Sequence, residues 1–192
     1  MMTKIEQVKN LVKNKFEEND WRYHILPVVK YAKKLARIYK VDMELTELAA
    51  LLHDIGRVDK KNDENHHIIG ISMAEEILKK FNYPDRAIEE VKHVVVSHRT
   101  SKGENPKTII AKIVANADAM AHFDILPVFF WWRKSGKEDR FEDVLQWVEN
   151  KLKKDWQKKI TLPEAKEISK KNYEANKLIL GFLNKYAKEK HY

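Results

Sequence analysis

Apolar side chains recur at intervals of three and four residues along almost the whole chain, and no stretch alternates polar and apolar residues. This pattern predicts an all-α protein. Residues that commonly cap helices mark several starts, such as Asp42 before the third helix and Asn105-Pro106 before the sixth. The expected helices cover about residues 5–16, 24–38, 42–55, 66–81, 84–98, 106–118, 141–156 and 162–186.

The composition agrees with a helical, globular chain. Five glycines and five prolines in 192 residues are too few for a many-stranded sandwich or a disordered protein. Hydrophobic residues make up 43% of the chain, which is enough to build a core. No Ser/Gly-rich linker or internal repeat interrupts the pattern. We therefore predict one domain over 1–192, with its core at about 20–125 and C-terminal helices at about 140–188 packed on that core.

The net charge of +8 raises the question of nucleic-acid binding. Residues 145–192 hold 12 lysines against 6 acidic residues, a net of 12 − 6 = +6, so the first 144 residues carry only +2. We interpret the Lys-rich C-terminal segment as a solvated face. The alternative is a non-catalytic helical module that binds nucleic acid through this segment.

The chain has no cysteine, which excludes disulfides, iron–sulfur clusters and Cys-based zinc sites. Any metal must be held by histidines and carboxylates. The first six residues do not look like a signal peptide, and the apolar run 123–132 is too short to span a bilayer. These features predict a cytoplasmic protein without a membrane segment.

Several polar residues lie on the apolar stripes of the predicted helices, where burial is costly unless a partner is present. The residues are His24, His53, His66 or His67, His98 and Asp118. One such histidine is ordinarily satisfied by a carbonyl. Five helices that each contribute a residue of this kind instead indicate a shared metal site, because imidazole and carboxylate groups are ligands of Mn²⁺, Fe²⁺, Ni²⁺, Zn²⁺ and Mg²⁺.

The order of these residues resembles the H…HD…D motif of the HD superfamily of metal-dependent phosphohydrolases. His24, the pair His53-Asp54 and Asp118 match it in turn. The string LLHDIGR at 51–57 resembles the central family motif, and KIVANADA at 112–119 resembles its final helix.

Two further elements are similar to those of HD branches that carry two metals. His66 stands four residues before Gly70, as in their H-x-x-x-G element, and Ser97-His98-Arg99 resembles their next histidine. The Gly-Tyr-Pro element of the branch that acts on cyclic dinucleotides is missing, which makes cyclic di-GMP a poor candidate substrate.

The resemblance implies an HD-type bundle of about seven to nine helices with a C-terminal helical extension, and one or two divalent ions (Mn, Fe, Ni, Co, Zn or Mg). It assigns a first ion to His24, His53, Asp54 and Asp118, and a second to His66 and His98 with Asp54 shared between the ions. His67 is the alternative to His66. His122 lies one turn after Asp118, and for it we expect packing or an indirect role.

The expected activity is hydrolysis of a phosphate ester or anhydride, with a nucleotide as the substrate. Asp54 is the candidate that orients the attacking water, and Arg57 is the main candidate for a phosphate contact. Arg99 and Lys112 are weaker candidates, since each is equally well explained as an ordinary surface charge. The alternative activity is a phosphodiesterase acting on a cyclic or linear dinucleotide.

The aromatic run 129–132 is open to three interpretations: packing between the core and the last helices, the wall of a substrate pocket, or an interface in a homo-oligomer.

Overall fold

The computed structural model describes residues 2–59, 65–99, 104–134 and 140–189. These residues form nine α-helices of nine residues or more and no strand, which confirms the predicted all-α class. The helices are α1 Lys4–Lys13, α2 Leu26–Tyr39, α3 Met43–Leu52, α4 His66–Lys80, α5 Asp85–Ser97, α6 Ile109–His122, α7 Leu126–Lys134, α8 Phe141–Lys154 and α9 Pro163–Lys188. Shorter turns are the π-helical turns Trp21–Ile25 and Asp155–Lys159 and the 3₁₀ turn Ile55–Val58.

The chain divides into two compact units, residues 1–118 and 119–192. In the first, α2 packs on α3 and α4 packs on α5. Its fully buried side chains include Leu35, Leu48 and Leu78. In the second, α8 packs against α7 and α9. The single domain expected from the sequence stays a prediction.

Within the described residues, no single helix is long and apolar enough to cross a membrane. The successive helices α6 and α7 reach that length and composition only when they are counted together across a bend.

Most helix boundaries follow local side-chain chemistry. Asp42 accepts a hydrogen bond from the backbone N–H of Leu45 at 2.9 Å, and α2 ends at Lys40 in the left-handed conformation. The predicted start of the sixth helix at Pro106 was wrong. α6 begins at Ile109, because the Thr108 hydroxyl accepts the hydrogen bond from the backbone N–H of Ala111 at 3.1 Å and caps the helix there.

The apolar run 123–132 contributes α7, a helix that the periodicity did not predict. Apolar residues occupy nearly every position of this run, so no contrast between two faces reveals the helical period. Its side chains pack mainly on α8: Phe129 lies against Trp147 with ring centroids 5.9 Å apart, and Phe130 stacks on Phe141 at 6.0 Å. These contacts lie within the C-terminal unit, and the three interpretations of this run stay predictions.

Two glycines bring the 3₁₀ turn into backbone contact with the first turns of α4. A Cβ atom at Gly56 would lie 2.0 Å from the carbonyl oxygen of His66 and 2.8 Å from the amide nitrogen of Gly70. A Cβ atom at Gly70 would lie 2.9 Å from Cγ1 of Val95. Only glycine fits such an approach. The contact therefore fixes the start of α4, which carries His66, beside the turn that follows Asp54.

We expect Gly56→Ala to lower the free energy of unfolding by about 2–4 kcal/mol, because backbone atoms must move to admit the new methyl group. Gly181→Ala is the matched control, since its Cβ would have no atom within 4 Å. That control should change stability by no more than about 1 kcal/mol, and in the stabilising direction. Urea unfolding of dilute protein measures both. Equal stability of the two variants would contradict the close approach.

Candidate metal centre

The carboxylate of Asp54 lies at the centre of a buried cluster in which each of its two oxygens faces two imidazoles. Oδ2 is 2.9 Å from Nε2 of His24 and 3.7 Å from Nε2 of His53. Oδ1 is 3.1 Å from Nε2 of His66 and 3.0 Å from Nε2 of His98. One carboxylate therefore joins two pairs of histidines that come from four different parts of the chain.

Asp118 extends the cluster on the side of His24. Its Oδ1 lies 3.6 Å from Nε2 of His24, and the residue is only 4% exposed. It follows Ile110 and Val114 on the buried face of α6, as the sequence predicts.

Local structure presents these side chains to one another. His53 directly follows α3 and His98 directly follows α5. The chain therefore leaves each helix at its histidine, while both imidazole rings stay buried. His24 lies in the π-helical turn before α2, not in the α-helix where we expected it. The wider turn shifts His24 away from the regular register of α2.

Two of the four histidines are held in a tautomer that leaves Nε2 free to bind a metal. Nδ1 of His53 donates to the carbonyl oxygen of Ala50 at 2.8 Å, and Nδ1 of His98 donates to that of Val95 at 2.7 Å. A carbonyl only accepts, so the proton of each neutral ring is on Nδ1 and the lone pair is on Nε2. Burial lowers the pKa of His53 to about 4, which keeps this ring neutral near pH 7.

Asp54 is ionised in this environment. Burial raises the pKa of its carboxyl, but the guanidinium of Arg57 and the surrounding imidazoles outweigh burial and hold that pKa well below its usual value. Nε of Arg57 lies 2.8 Å from Oδ2, and 44% of the arginine side chain is exposed.

The donor set fits a bound cation. Nε2 of His66 and Nε2 of His98 are 3.4 Å apart and both face Oδ1 of Asp54, yet this buried oxygen has no well-directed hydrogen bond from the described residues. On the other side, Nε2 of His53 and Nε2 of His24 are 3.2 Å apart. The Nε2 lone pairs of His53 and His98 point toward the ionised carboxylate, and such groups repel one another unless a positive charge lies between them. Imidazoles with carboxylates suit Mn²⁺, Fe²⁺, Co²⁺, Ni²⁺ or Zn²⁺.

The family model for the HD domain matches residues 21–122, which is more than half of the chain. The chain belongs to the HD domain family. The match includes every residue of the cluster around Asp54, so the resemblance stated from the sequence is confirmed.

Relatives of this HD domain protein include a full-length match and matches to part of longer proteins. It is 30% identical to an uncharacterized protein of Methanocaldococcus jannaschii over 91% of this chain and 98% of that one. It is 38% identical over 111 residues to tRNA (cytidine(56)-2'-O)-methyltransferase of Picrophilus torridus and 34% identical over 99 residues to ribonuclease Y of Lawsonia intracellularis. The matched regions span 31% and 17% of those two proteins.

Solved structures show the same HD fold. Bacillus subtilis YpgQ in complex with ADP superposes with a TM-score of 0.73 at 19% identity, over 95% of this chain and 94% of that one. An HD-superfamily hydrolase from Bacillus thuringiensis superposes with a TM-score of 0.70 at 20% identity, over 97% of this chain and 100% of that one. At such low identity, the likeness establishes the fold alone.

The H-x-x-x-G element favoured His66, whereas the helical period alone could not separate it from His67, and the geometry around Asp54 agrees with the motif. His66 is the residue whose Nε2 reaches Asp54. His67 packs edge-on against His66, with ring centroids 5.9 Å apart and planes at 83°. Both are buried at the start of α4, so burial gave no means of choosing between them.

The three basic candidates for a phosphate contact occupy different positions. Arg57 contacts Asp54 directly. Arg99 directly follows His98 beyond the end of α5 and is half-buried. Lys112 is exposed on α6, and a six-residue step places it roughly 120° around the helix from Asp118. A phosphate contact by any of the three stays a prediction.

His122 belongs to a second buried ionic cluster, in the C-terminal unit. Its Nδ1 lies 2.8 Å from Oδ2 of Asp155, which is fully buried and also paired with Lys151 and Lys159. Burial raises the pKa of Asp155, but Lys151 and His122 outweigh burial and hold that pKa below its usual value. The sequence did not reveal this cluster, because His122 and Asp155 are 33 residues apart.

We expect Asp155→Asn to lower the free energy of unfolding by about 2–3 kcal/mol at pH 7, since charged hydrogen bonds are lost. A carboxyl whose pKa is lowered on folding stabilises the protein above its unfolded pKa of about 3.9, and this contribution is lost as the pH falls. The difference in unfolding free energy between the wild type and Asp155→Asn should therefore become smaller at acidic pH. Denaturant unfolding at several pH values measures it, with the exposed Asp143→Asn as control. If this difference in unfolding free energy does not change with pH, the stabilising role of the Asp155 charge is contradicted.

Proposed function

We propose that this HD domain protein is a metal-dependent phosphohydrolase that cleaves a phosphate ester or anhydride bond in a nucleotide. The observation that carries the proposal is the buried Asp54 carboxylate, each of whose oxygens faces a pair of imidazole nitrogens. Membership of the HD family, whose domains are metal-dependent phosphohydrolases, supports the same class of reaction.

In this proposal, the residues around the two oxygens of Asp54 are metal ligands. One ion would be held by His24, His53, Asp54 and Asp118, and a second by His66, His98 and Asp54. The support is geometric: potential ligand atoms of His24, His53 and Asp54, and likewise of Asp54, His66 and His98, lie within 4.8 Å of one another.

An ion in such a site lowers the pKa of a bound water and polarises a phosphoryl oxygen, which together favour hydrolysis near neutral pH. Asp54 contributes a fixed negative charge, since its carboxyl stays ionised in the folded protein. We assign to it the orientation of the attacking water. The neutral ring of His53 is held on the carbonyl of Ala50, so this ligand does not have to lose a proton before it binds.

Arg57 is the residue we assign to a phosphate oxygen of the substrate. Its Nε is committed to Asp54, while nearly half of the side chain is exposed beside the cluster. A guanidinium has five N–H donors, so one nitrogen can orient the group while others bind phosphate. Arg99 and Lys112 remain additional candidates for this role.

A nucleotide is the preferred substrate class. Bacillus subtilis YpgQ, which shares the fold over 95% of this chain, has been solved with ADP, and this supports a nucleoside phosphate here. The match to ribonuclease Y instead favours a phosphodiester, which would make the protein a phosphodiesterase on RNA or a dinucleotide. The third hypothesis is a non-catalytic module that binds nucleic acid through its Lys-rich C-terminal segment.

A substrate panel separates these hypotheses. We expect phosphate or pyrophosphate release from nucleoside mono-, di- or triphosphates in the presence of Mn²⁺, Co²⁺, Ni²⁺ or Mg²⁺, and no release after dialysis against a chelator. Cleavage confined to linear or cyclic dinucleotides or short RNA would favour the phosphodiesterase. If no substrate is cleaved and elemental analysis finds no bound metal, the enzyme hypothesis is wrong.

Asp54→Asn should lower kcat/KM by roughly 10³-fold or more, because it removes the charge shared by both sets of ligands. Asp85→Asn, a change of the same type at an exposed position, should retain full activity. Circular dichroism and metal analysis of both variants distinguish a lost ligand from a lost fold. If folded Asp54→Asn retains wild-type activity, the assignment of the active site fails.

His66→Gln should weaken Mn²⁺ binding at one site by more than the roughly 10–100-fold that loss of an outer-shell partner typically causes, whereas His67→Gln should leave it close to wild type. The two residues are adjacent and similarly buried, so each serves as the control for the other. Isothermal titration calorimetry of the chelator-treated proteins gives the affinity and the number of ions. The reverse result, with His67→Gln as the weaker binder, would refute our choice of ligand.

A further inference from the structure

The last helix, α9, has an apolar strip that lies open in the described structure. Leu178 and Phe182 are 63% and 67% exposed, although both side chains are large and apolar. They lie one turn apart on one side of the helix, along an open groove of about 460 Å³. The groove is lined by Glu174, Lys177, Leu178, Gly181, Phe182 and Lys185, and we call this surface the open face. Exposed apolar groups with a charged rim are typical of interaction surfaces.

Gly181, at the centre of the open face, indicates that another backbone approaches here. Glycine in the middle of a helix weakens that helix relative to alanine. A Cβ atom at Gly181 would have no neighbour within 4 Å, so packing within the described chain does not require a glycine. The missing side chain does, however, allow the axis of a second helix to pass closer between Leu178 and Phe182.

The charges of the open face indicate which helix fits it. Glu174 lies one turn before Leu178, and Lys185 lies almost one turn after Phe182. Two copies of α9 packed in parallel would place glutamate against glutamate and lysine against lysine. Packed antiparallel about a two-fold axis, they would place Glu174 of each copy near Lys185 of the other and Leu178 near Phe182. Lys177 lies at the edge of the open face and would be level with Leu183 of the other copy, not with a lysine. The centre of the open face is therefore complementary to itself.

We infer that the protein forms a two-fold symmetric homodimer through the open face of α9, with two antiparallel helices that cross midway between Leu178 and Phe182, beside Gly181. A contact between two single helices is smaller than the roughly 800 Å² per partner of a standard specific interface. The dimer should therefore dissociate on dilution, with a dissociation constant in about the micromolar range. This inference does not depend on the metal site or on the proposed hydrolase activity.

Sedimentation velocity over a wide range of protein concentration tests the dimer. The wild-type protein should shift from monomer to dimer as concentration rises, and Phe182→Glu should stay monomeric, because two glutamates would be buried at the crossing. Ile179→Glu is the matched control: this side chain is 48% exposed on the same helix but points away from the open face. Ile179→Glu should dimerise like the wild type, and circular dichroism should show folded protein in every case.

A charge exchange tests the antiparallel direction. Glu174→Lys and Lys185→Glu should each raise the dissociation constant of the dimer by about tenfold, because the two-fold axis places the altered charge pair in the interface twice. The double variant restores opposite charges in an antiparallel pair and should recover most of the wild-type affinity. A double variant no better than the single ones would overturn the antiparallel arrangement.

Other outcomes would overturn the dimer itself. The inference fails if the wild type sediments as a monomer at every concentration, or if folded Phe182→Glu dimerises as the wild type does. A protein that is monomeric but floats with vesicles of anionic lipid would show that the open face binds a membrane surface instead.

Discussion

Burial of an ionised carboxylate at Asp54 is the constraint on which the candidate centre depends. Taking such a charge out of water costs several kcal/mol unless other groups compensate for it. Here the compensation comes from the guanidinium of Arg57 and from the hydrogen bond of the His24 imidazole, both on Oδ2. These groups come from separate helices, so the helices must pack in one arrangement for the carboxylate to be tolerated. The same arrangement makes the site suitable for a cation.

Residues without any chemistry of their own determine the geometry of this centre. The carbonyls of Ala50 and Val95 fix the protons of two imidazoles, and each belongs to the same helix as the histidine it orients. Gly56 and Gly70 allow the backbone contact that holds the start of α4 beside Asp54. Because helices are stiff and these contacts are backbone contacts, the nitrogen atoms can be placed without adjustment by long flexible side chains.

The second buried carboxylate, Asp155, provides a useful contrast. Its partners are the ammonium groups of Lys151 and Lys159 and the ring of His122, which bring protons and positive charge to it. Asp54 is surrounded mainly by imidazoles, and two of these direct lone pairs rather than protons toward it. The lysines beside Asp155 supply positive charge to its carboxylate, while the arrangement around Asp54 is suited to receive a metal. Both are buried carboxylates beside histidine, and their different partners separate the two roles.

The sequence alone determined the all-α class, most helix boundaries and the residues that now lie around Asp54. It did so because helical periodicity shows which side chains face inward, and because buried His and Asp residues are rare enough to be informative. The order of those residues then identified the family. Where periodicity failed, as at α7, nearly every position was apolar and no face could be distinguished.

Tertiary structure decided what depends on contacts between distant or adjacent residues. The H-x-x-x-G element favoured His66 over His67, but only the packed chain shows which ring reaches Asp54, because two neighbours on a helix point in directions about 100° apart. The cap at Thr108, the π-helical turn at His24 and the pairing of His122 with Asp155 likewise have no signature in local sequence. Local sequence records which face of a helix is buried, whereas only the packed chain determines which atoms meet there.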